Sequence, residues 1–259
     1  SYRWNDAQTD AELVDAKGHD VEYSVRVPRS DQHPDGLRKL AWHYPSRAEC
    51  MVCHSRAANY LLGLSTAQMN RAHRYGATED HQFRVLEHLG LVKSNWQTDA
   101  LALVKERLKD SGLDERAINE QLNARPAQPD QRQSASAPLL AMSPGVFARL
   151  ADPYDPQQNV ELRARSYLHA NCAHCHVEAG GGNAQILLEF GTAADKMKVV
   201  NVKPMHHTFD VRDARLVAPG EPQRSVLWSR VTRRGTGQMP PLATTRPDDE
   251  AVALLREWI

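Results

Sequence analysis

The chain has 259 residues, apolar and charged fractions of 41% and 25%, and 32 basic against 32 acidic side chains. That suits one large or two small globular domains, and with zero formal charge nothing points to a nucleic-acid partner or an anionic membrane surface. No stretch approaches the roughly 18 consecutive apolar residues of a membrane helix.

The start, Ser1-Tyr2-Arg3-Trp4, has neither the basic first residues nor the apolar core of a signal peptide, as expected of a processed or truncated product. Residues 1–45 lean towards strands. Val21-Glu22-Tyr23-Ser24-Val25-Arg26-Val27 alternates, and Leu40-Ala41-Trp42-His43-Tyr44 is expected to pair with it across the turn-rich segment from Pro28 to Gly36. Ser46 reads as the N-cap of a helix that runs into the first cysteine pair.

From Ala57 to Val92 the pattern reads as mostly helical, interrupted at Gly63, Gly76 and Gly90, with Phe83, Val85, Leu86 and Leu89 as an apolar stripe. Ala100–Leu108 and Leu113–Leu122 give two more helical stretches. Between Asn123 and Pro138 the Pro, Gln, Ser and Ala content is that of a linker. A helix is expected over Val160–Asn171, with Leu162, Tyr167 and Leu168 as apolar contacts, running straight into the second cysteine pair. Gly180-Gly181-Gly182 then breaks the chain. The last helix begins near Asp248, with Asp249 and Glu250 in its first turn, and places Ala251, Leu254, Leu255 and Trp258 on one face.

All four cysteines lie in Cys-x-x-Cys pairs, and each pair is followed at once by histidine: Cys50-Met51-Val52-Cys53-His54 and Cys172-Ala173-His174-Cys175-His176. This is the signature of covalent haem attachment, two thiols for two porphyrin vinyl groups and an adjacent imidazole for the iron. A four-cysteine zinc site would set its pairs about 15–20 residues apart, whereas these lie over a hundred residues apart. A thioredoxin-like pair needs a βαβ context that neither motif has, and a chain this long needs no disulfide framework to hold a core. Two haem c groups are therefore expected, bound through Cys50, Cys53, Cys172 and Cys175, with His54 and His176 as iron ligands. Their attachment outside the cytoplasmic membrane implies a periplasmic or extracellular location.

A second axial ligand is expected for each iron of an electron carrier, and Met in that place raises the potential. Met239, in Gly237-Gln238-Met239-Pro240-Pro241-Leu242, stands in a proline-stiffened loop just ahead of the terminal helix. For the first iron, Met69 is the expected ligand, with His43, His73, His81, His88 and Met142 as alternatives and a five-coordinate iron also open. Leu64, Leu242 and Trp258 are candidates to cover the rings.

The segments Trp42-His43-Tyr44-Pro45-Ser46-Arg47-Ala48-Glu49-Cys50 and Leu62-Gly63-Leu64-Ser65-Thr66-Ala67-Gln68-Met69-Asn70-Arg71 resemble the first haem segment of a group of bacterial di-haem cytochrome domains. Arg163-Ala164-Arg165-Ser166-Tyr167-Leu168, Arg215-Leu216-Val217-Ala218-Pro219-Gly220-Glu221-Pro222 and the Met239 loop are similar to its second half, which itself resembles class I cytochrome c. Such domains stand at the C-terminal end of large secreted proteins, some with a glucose/sorbosone-dehydrogenase-like β-propeller that uses pyrroloquinoline quinone (PQQ).

The resemblance implies a relay of electrons from a PQQ-dependent sugar or alcohol dehydrogenase to a further acceptor, with no chemistry of its own. The rival is a di-haem cytochrome c peroxidase, which would need an open iron and acid–base groups such as Glu178, Glu189 or the His206-His207 pair. The architecture expected is mainly α: a β-rich extension over 1–45, a first haem domain over 46–125, a linker over 126–150 and a second, class I-like haem domain over 151–259.

Overall fold

The computed structural model describes residues 1–91, 104–123 and 148–259. The chain forms two compact units, Ser1–Leu64 with Leu150–Ile259, and Ser65–Arg149. Both Cys-x-x-Cys-His motifs belong to the first.

The first unit opens with two antiparallel hairpins, β1 (Tyr2–Trp4) with β2 (Ala11–Leu13), and β3 (His19–Arg26) with β4 (Leu37–Tyr44). In the longer pair the register sets Val21 opposite Trp42, Tyr23 opposite Leu40 and Val25 opposite Arg38. These six side chains share the half-buried face while their neighbours stay exposed, which is the two-residue period of a sheet with one wet side. The expected hairpin is present, and both of its strands are longer than the alternation alone indicated. Helix α1 (Arg47–Cys53) follows, closed by a capping box: the Ser46 hydroxyl accepts from Glu49 N–H, and the Glu49 carboxylate accepts from Ser46 N–H.

The second unit holds α2 (Thr66–Met69), a hairpin of β5 (Ala72–Tyr75) and β6 (Thr78–His81), α3 (Gln82–His88), a helical stretch over 104–110 and α4 (Glu115–Asn123). Met69 and Phe83 are buried together, with Leu86 packed against them.

The C-terminal part of the first unit rests on α5 (Val160–Cys172), α6 (Val226–Thr232) and α7 (Asp249–Trp258). Leu168 of α5 and Leu254 and Leu255 of α7 share one core with Val199, Val217 and Val231. Trp258 Nε1–H donates to the Glu161 carboxylate, tying the two helices. Ala251, Leu254 and Leu255 are buried as their spacing predicts. Leu162 is exposed instead of packed: the buried face of α5 runs through Ala164 and Leu168, one turn apart, and includes Ser166. The Ser166 hydroxyl bridges Leu162 O and Ala151 N–H, so its polar atom is satisfied inside.

The expected mainly α architecture is corrected to a mixed one: three two-stranded antiparallel sheets accompany short helices among the described residues. Two causes are visible. The presumed helical run from Ala57 is helical only in α2 and in α3, where Phe83 and Leu86 pack; the rest is turns and the β5–β6 hairpin, reversed at Gly76 with φ +65°. Between Val177 and Ser225 the chain is mostly irregular, and Ile186 with Leu188, then Met197 with Val199, enter the core at a spacing of two. That is an extended chain rather than a helix. Residues 100–103 of an expected helix, residues 124–147 of the expected linker region and the alternative ligand Met142 lie outside the described residues. No helix among those described is long and apolar enough to cross a membrane.

Candidate functional site

Each motif forms one turn of helix. Cys50 and Cys53 sit at i and i+3 in α1, which brings both thiols to one face, and His54 N–H closes the turn on Cys50 O at 2.9 Å. In the second motif α5 ends at Cys172, and His176 N–H closes the same turn on Cys172 O, also at 2.9 Å.

The imidazoles are held in the same way. His54 Nδ1 is 2.7 Å from Tyr60 O, and His176 Nδ1 is 3.4 Å from Ala184 O. A backbone carbonyl can only accept, so each ring donates from Nδ1 and keeps the Nε2 lone pair for a metal. Burial lowers the pKa of His176, its hydrogen bond to Ala184 opposes this, and nearby Arg230 lowers it further. The ring is thereby biased towards the neutral form a metal needs. Burial, reinforced by Cys175, pushes the Cys172 thiol up to about 12; burial and then Cys53 push Cys175 up to about 12.

An apolar cavity, open to solvent, begins at the second motif. Cys172, Cys175 and His176 contribute to its wall, as do Met239, Pro240 and Pro241 from the loop after α6. Ile186, Leu188, Val199, Leu216, Val226 and Val231 make the lining strongly apolar.

The Met239 loop is fixed by its own neighbours. Met239 N–H donates to Arg230 O at 3.0 Å, Arg230 Nη1 donates to Gly237 O at 2.9 Å, and Gln238 Nε2 donates to Pro240 O at 2.9 Å. Arg230 also lies 4.9 Å from the Phe209 ring centroid and Arg233 lies 3.5 Å from it. The glycine triplet permits close approach at this end: a Cβ on Gly182 would lie 2.6 Å from His176 Nδ1, and one on Gly180 would lie 2.3 Å from Cys175 O.

The first motif has different surroundings. Met51, Val52, Tyr60, Leu61 and Leu64 are large apolar side chains left exposed around it, and Cys50 and Cys53 are half-buried free thiols. Met69, expected as an iron ligand, is buried in the second unit against Phe83 and Leu86, whereas His54 belongs to the first. His43 has both ring nitrogens engaged, Nδ1 with Asp20 at 2.7 Å and Nε2 with Glu49 at 3.0 Å. His81 Nε2 meets Asn70 Oδ1 at 3.0 Å, while His73 and His88 are exposed.

His206 shares the cavity wall with Met239, its Nε2 3.1 Å from Asn183 O, and His207 Nδ1 accepts from Phe209 N–H. Glu178 and Glu189 are exposed, Leu242 and Trp258 are half-buried, and all four lie outside the wall. Sequence patterns gave no sign of Arg230 or of the extended segments carrying Ile186, Leu188 and Val199.

Across the two motifs, Cys53, His174 and Cys175 bring a possible metal-ligand atom each within 4.8 Å of one another. No protein-family model, curated protein or solved structure matches the chain.

Proposed function

We propose that this chain is a di-haem c-type cytochrome that relays electrons. Cys172, Cys175, His176 and Met239 would hold the second haem, and Cys50, Cys53 and His54 would hold the first. The observation that carries the reading is the cavity bounded by two thiols and an imidazole from one motif and by the only Met-Pro-Pro loop in the sequence. Two thiols, a neutral imidazole with a free Nε2 and a thioether are the donor set of a His/Met haem c.

When bound, the haem supplies one-electron exchange at iron; the chain supplies ligands, burial and access. His176 and Met239 would supply the imidazole and thioether for the iron, and a thioether ligand would favour the reduced iron and raise the potential. The apolar wall would limit the access of water to a bound iron. Arg230 offers a cation in that wall, suited to a carboxylate-bearing ligand. At the first site, Met51, Val52, Tyr60, Leu61 and Leu64 form an apolar surface that a flat macrocycle would cover. The reading assigns the first iron only His54.

Attachment of haem c places the protein in the periplasm or outside the cell, and a PQQ-dependent sugar or alcohol dehydrogenase is the proposed donor. The zero formal charge makes docking weakly dependent on salt. Intact mass after acidified-acetone extraction tests the cofactor: two haems should remain on the chain. Stopped-flow absorbance with the dehydrogenase and its substrate tests the relay. A dehydrogenase that reduces an artificial acceptor yet leaves both haems oxidised would remove that partner.

One observation favours a second reading, the Cys53–His174–Cys175 group, which has the ligand types of a thiolate–imidazole zinc site. A colourless product with one tightly held zinc would establish it in place of the cytochrome.

A further inference from the structure

The two attachment segments are far apart in sequence and adjacent in space, within one compact unit. The Cys53 and Cys175 sulfurs, with a ring nitrogen of His174, lie within 4.8 Å of one another. Cys175 Sγ–H donates to Val52 O at 3.3 Å, so the second motif is bonded to the backbone of the first. Gly181 faces the same carbonyl, and a Cβ there would lie 2.7 Å from Val52 O. Real Cβ atoms do not come that close, so a side chain at this position would push the segments apart. The contact joins the second cysteine of each motif, the residue directly before each iron-binding histidine.

We propose that the Cys53 and Cys175 sulfurs form the crossing point for electrons between the two cofactor sites. The inference rests on the di-haem reading and adds a route to it. Each sulfur, once a thioether, would be bonded to the rim of its own macrocycle, so two sulfurs within 4.8 Å would bring the two rims together. One electron crosses, one iron going from ferrous to ferric and the other from ferric to ferrous, with no proton transferred. Conversion to a thioether removes the S–H that Cys175 donates to Val52 O. The approach is then held by the packing at Gly181, which makes that glycine a positioning residue for the crossing.

Two chromophores at this spacing interact, and the holoprotein carries the test. Haem content is fixed first by intact mass; a product with fewer than two haems overturns the cytochrome reading and the crossing with it. With two haems present, the Soret circular dichroism should show a bisignate couplet that the sum of two single-haem variants, Cys50→Ser/Cys53→Ser and Cys172→Ser/Cys175→Ser, does not reproduce. A two-haem spectrum equal to that sum overturns the crossing and leaves the cytochrome reading intact. Gly181→Val should keep both haems, cut the couplet at least twofold and slow internal electron equilibration after flash reduction. An unchanged couplet and rate in a folded, two-haem Gly181→Val protein also overturns it. The wild-type comparison stands whether or not that variant folds.

Discussion

The motif at Cys172 and the motif at Cys50 share a helical turn, a histidine that closes it and an Nδ1 bond to a backbone carbonyl. Around the second motif a core is already built: Leu168, Leu188, Val199 and Val231 are buried, and the Met239 loop borders the same cavity. Around the first, Tyr60, Leu61 and Leu64 are 53%, 69% and 64% exposed. Identical local chemistry thus meets a prepared cavity in one case and an open apolar surface in the other. On the proposed reading the motif would specify attachment, while its environment would decide how far the protein controls a bound iron.

The sharpest way to break this contrast is to remove each pair of thiols. Cys172→Ser/Cys175→Ser should lose one haem by mass and lower the melting temperature by on the order of 10 °C, since an unfilled apolar cavity costs about 2–5 kcal/mol. Cys50→Ser/Cys53→Ser should also lose one haem, with a much smaller thermal shift. Equal shifts by differential scanning calorimetry would erase the distinction. Leu168, at 1% exposure in the wall of the second site, should cost about 2–5 kcal/mol as Leu168→Ala in denaturant unfolding. Exposed Leu64→Ala should change the haem-free chain by less than about 0.5 kcal/mol.

Met239→Ala should remove the sulfur-to-iron charge-transfer band and lower the potential of one haem only. An unchanged spectrum would shift the role to His206, which lines the same wall.

The smallest expected effect lies at the N-terminus of α1. Ser46→Ala should destabilise by about 1 kcal/mol through loss of the cap. Glu49 is lowered from 4.5 to about 2, first by the Ser46 N–H, then by His43 and the Ser46 hydroxyl. A depressed carboxyl stabilises the fold above its unfolded value and loses that contribution as pH falls from about 4.5 to 2. His43 is raised, first by Asp20 and then by Glu49, so its contribution is present below its ordinary 6.5 and lost as pH rises through the folded value. Thermal melts of Glu49→Gln against the parent should converge as pH falls through that acid window. Melts that stay separated at pH 2 would show that the carboxylate charge is not what stabilises the turn.

The Cys-x-x-Cys-His spacing, the Ser46 N-cap and the apolar face of Ala251, Leu254 and Leu255 could be read directly from the sequence. Each depends on residues within one or two turns of one another, so spacing alone carries the geometry. The β5–β6 hairpin was hidden because Ala72–His81 is polar and exposed, with no burial to impose a two-residue period. The walls of the second cavity come from α5, the extended segments after Val177, α6 and the Met239 loop, and no local pattern announces their meeting. The Cys53–Cys175 contact lies further still from local reach. Sequence by itself determined which atoms are suited to attach a haem, because that chemistry is local to five residues. Only the tertiary structure decided that one motif has a cavity, the other an open face, and that their sulfurs meet, because packing brings together segments separated by more than a hundred residues.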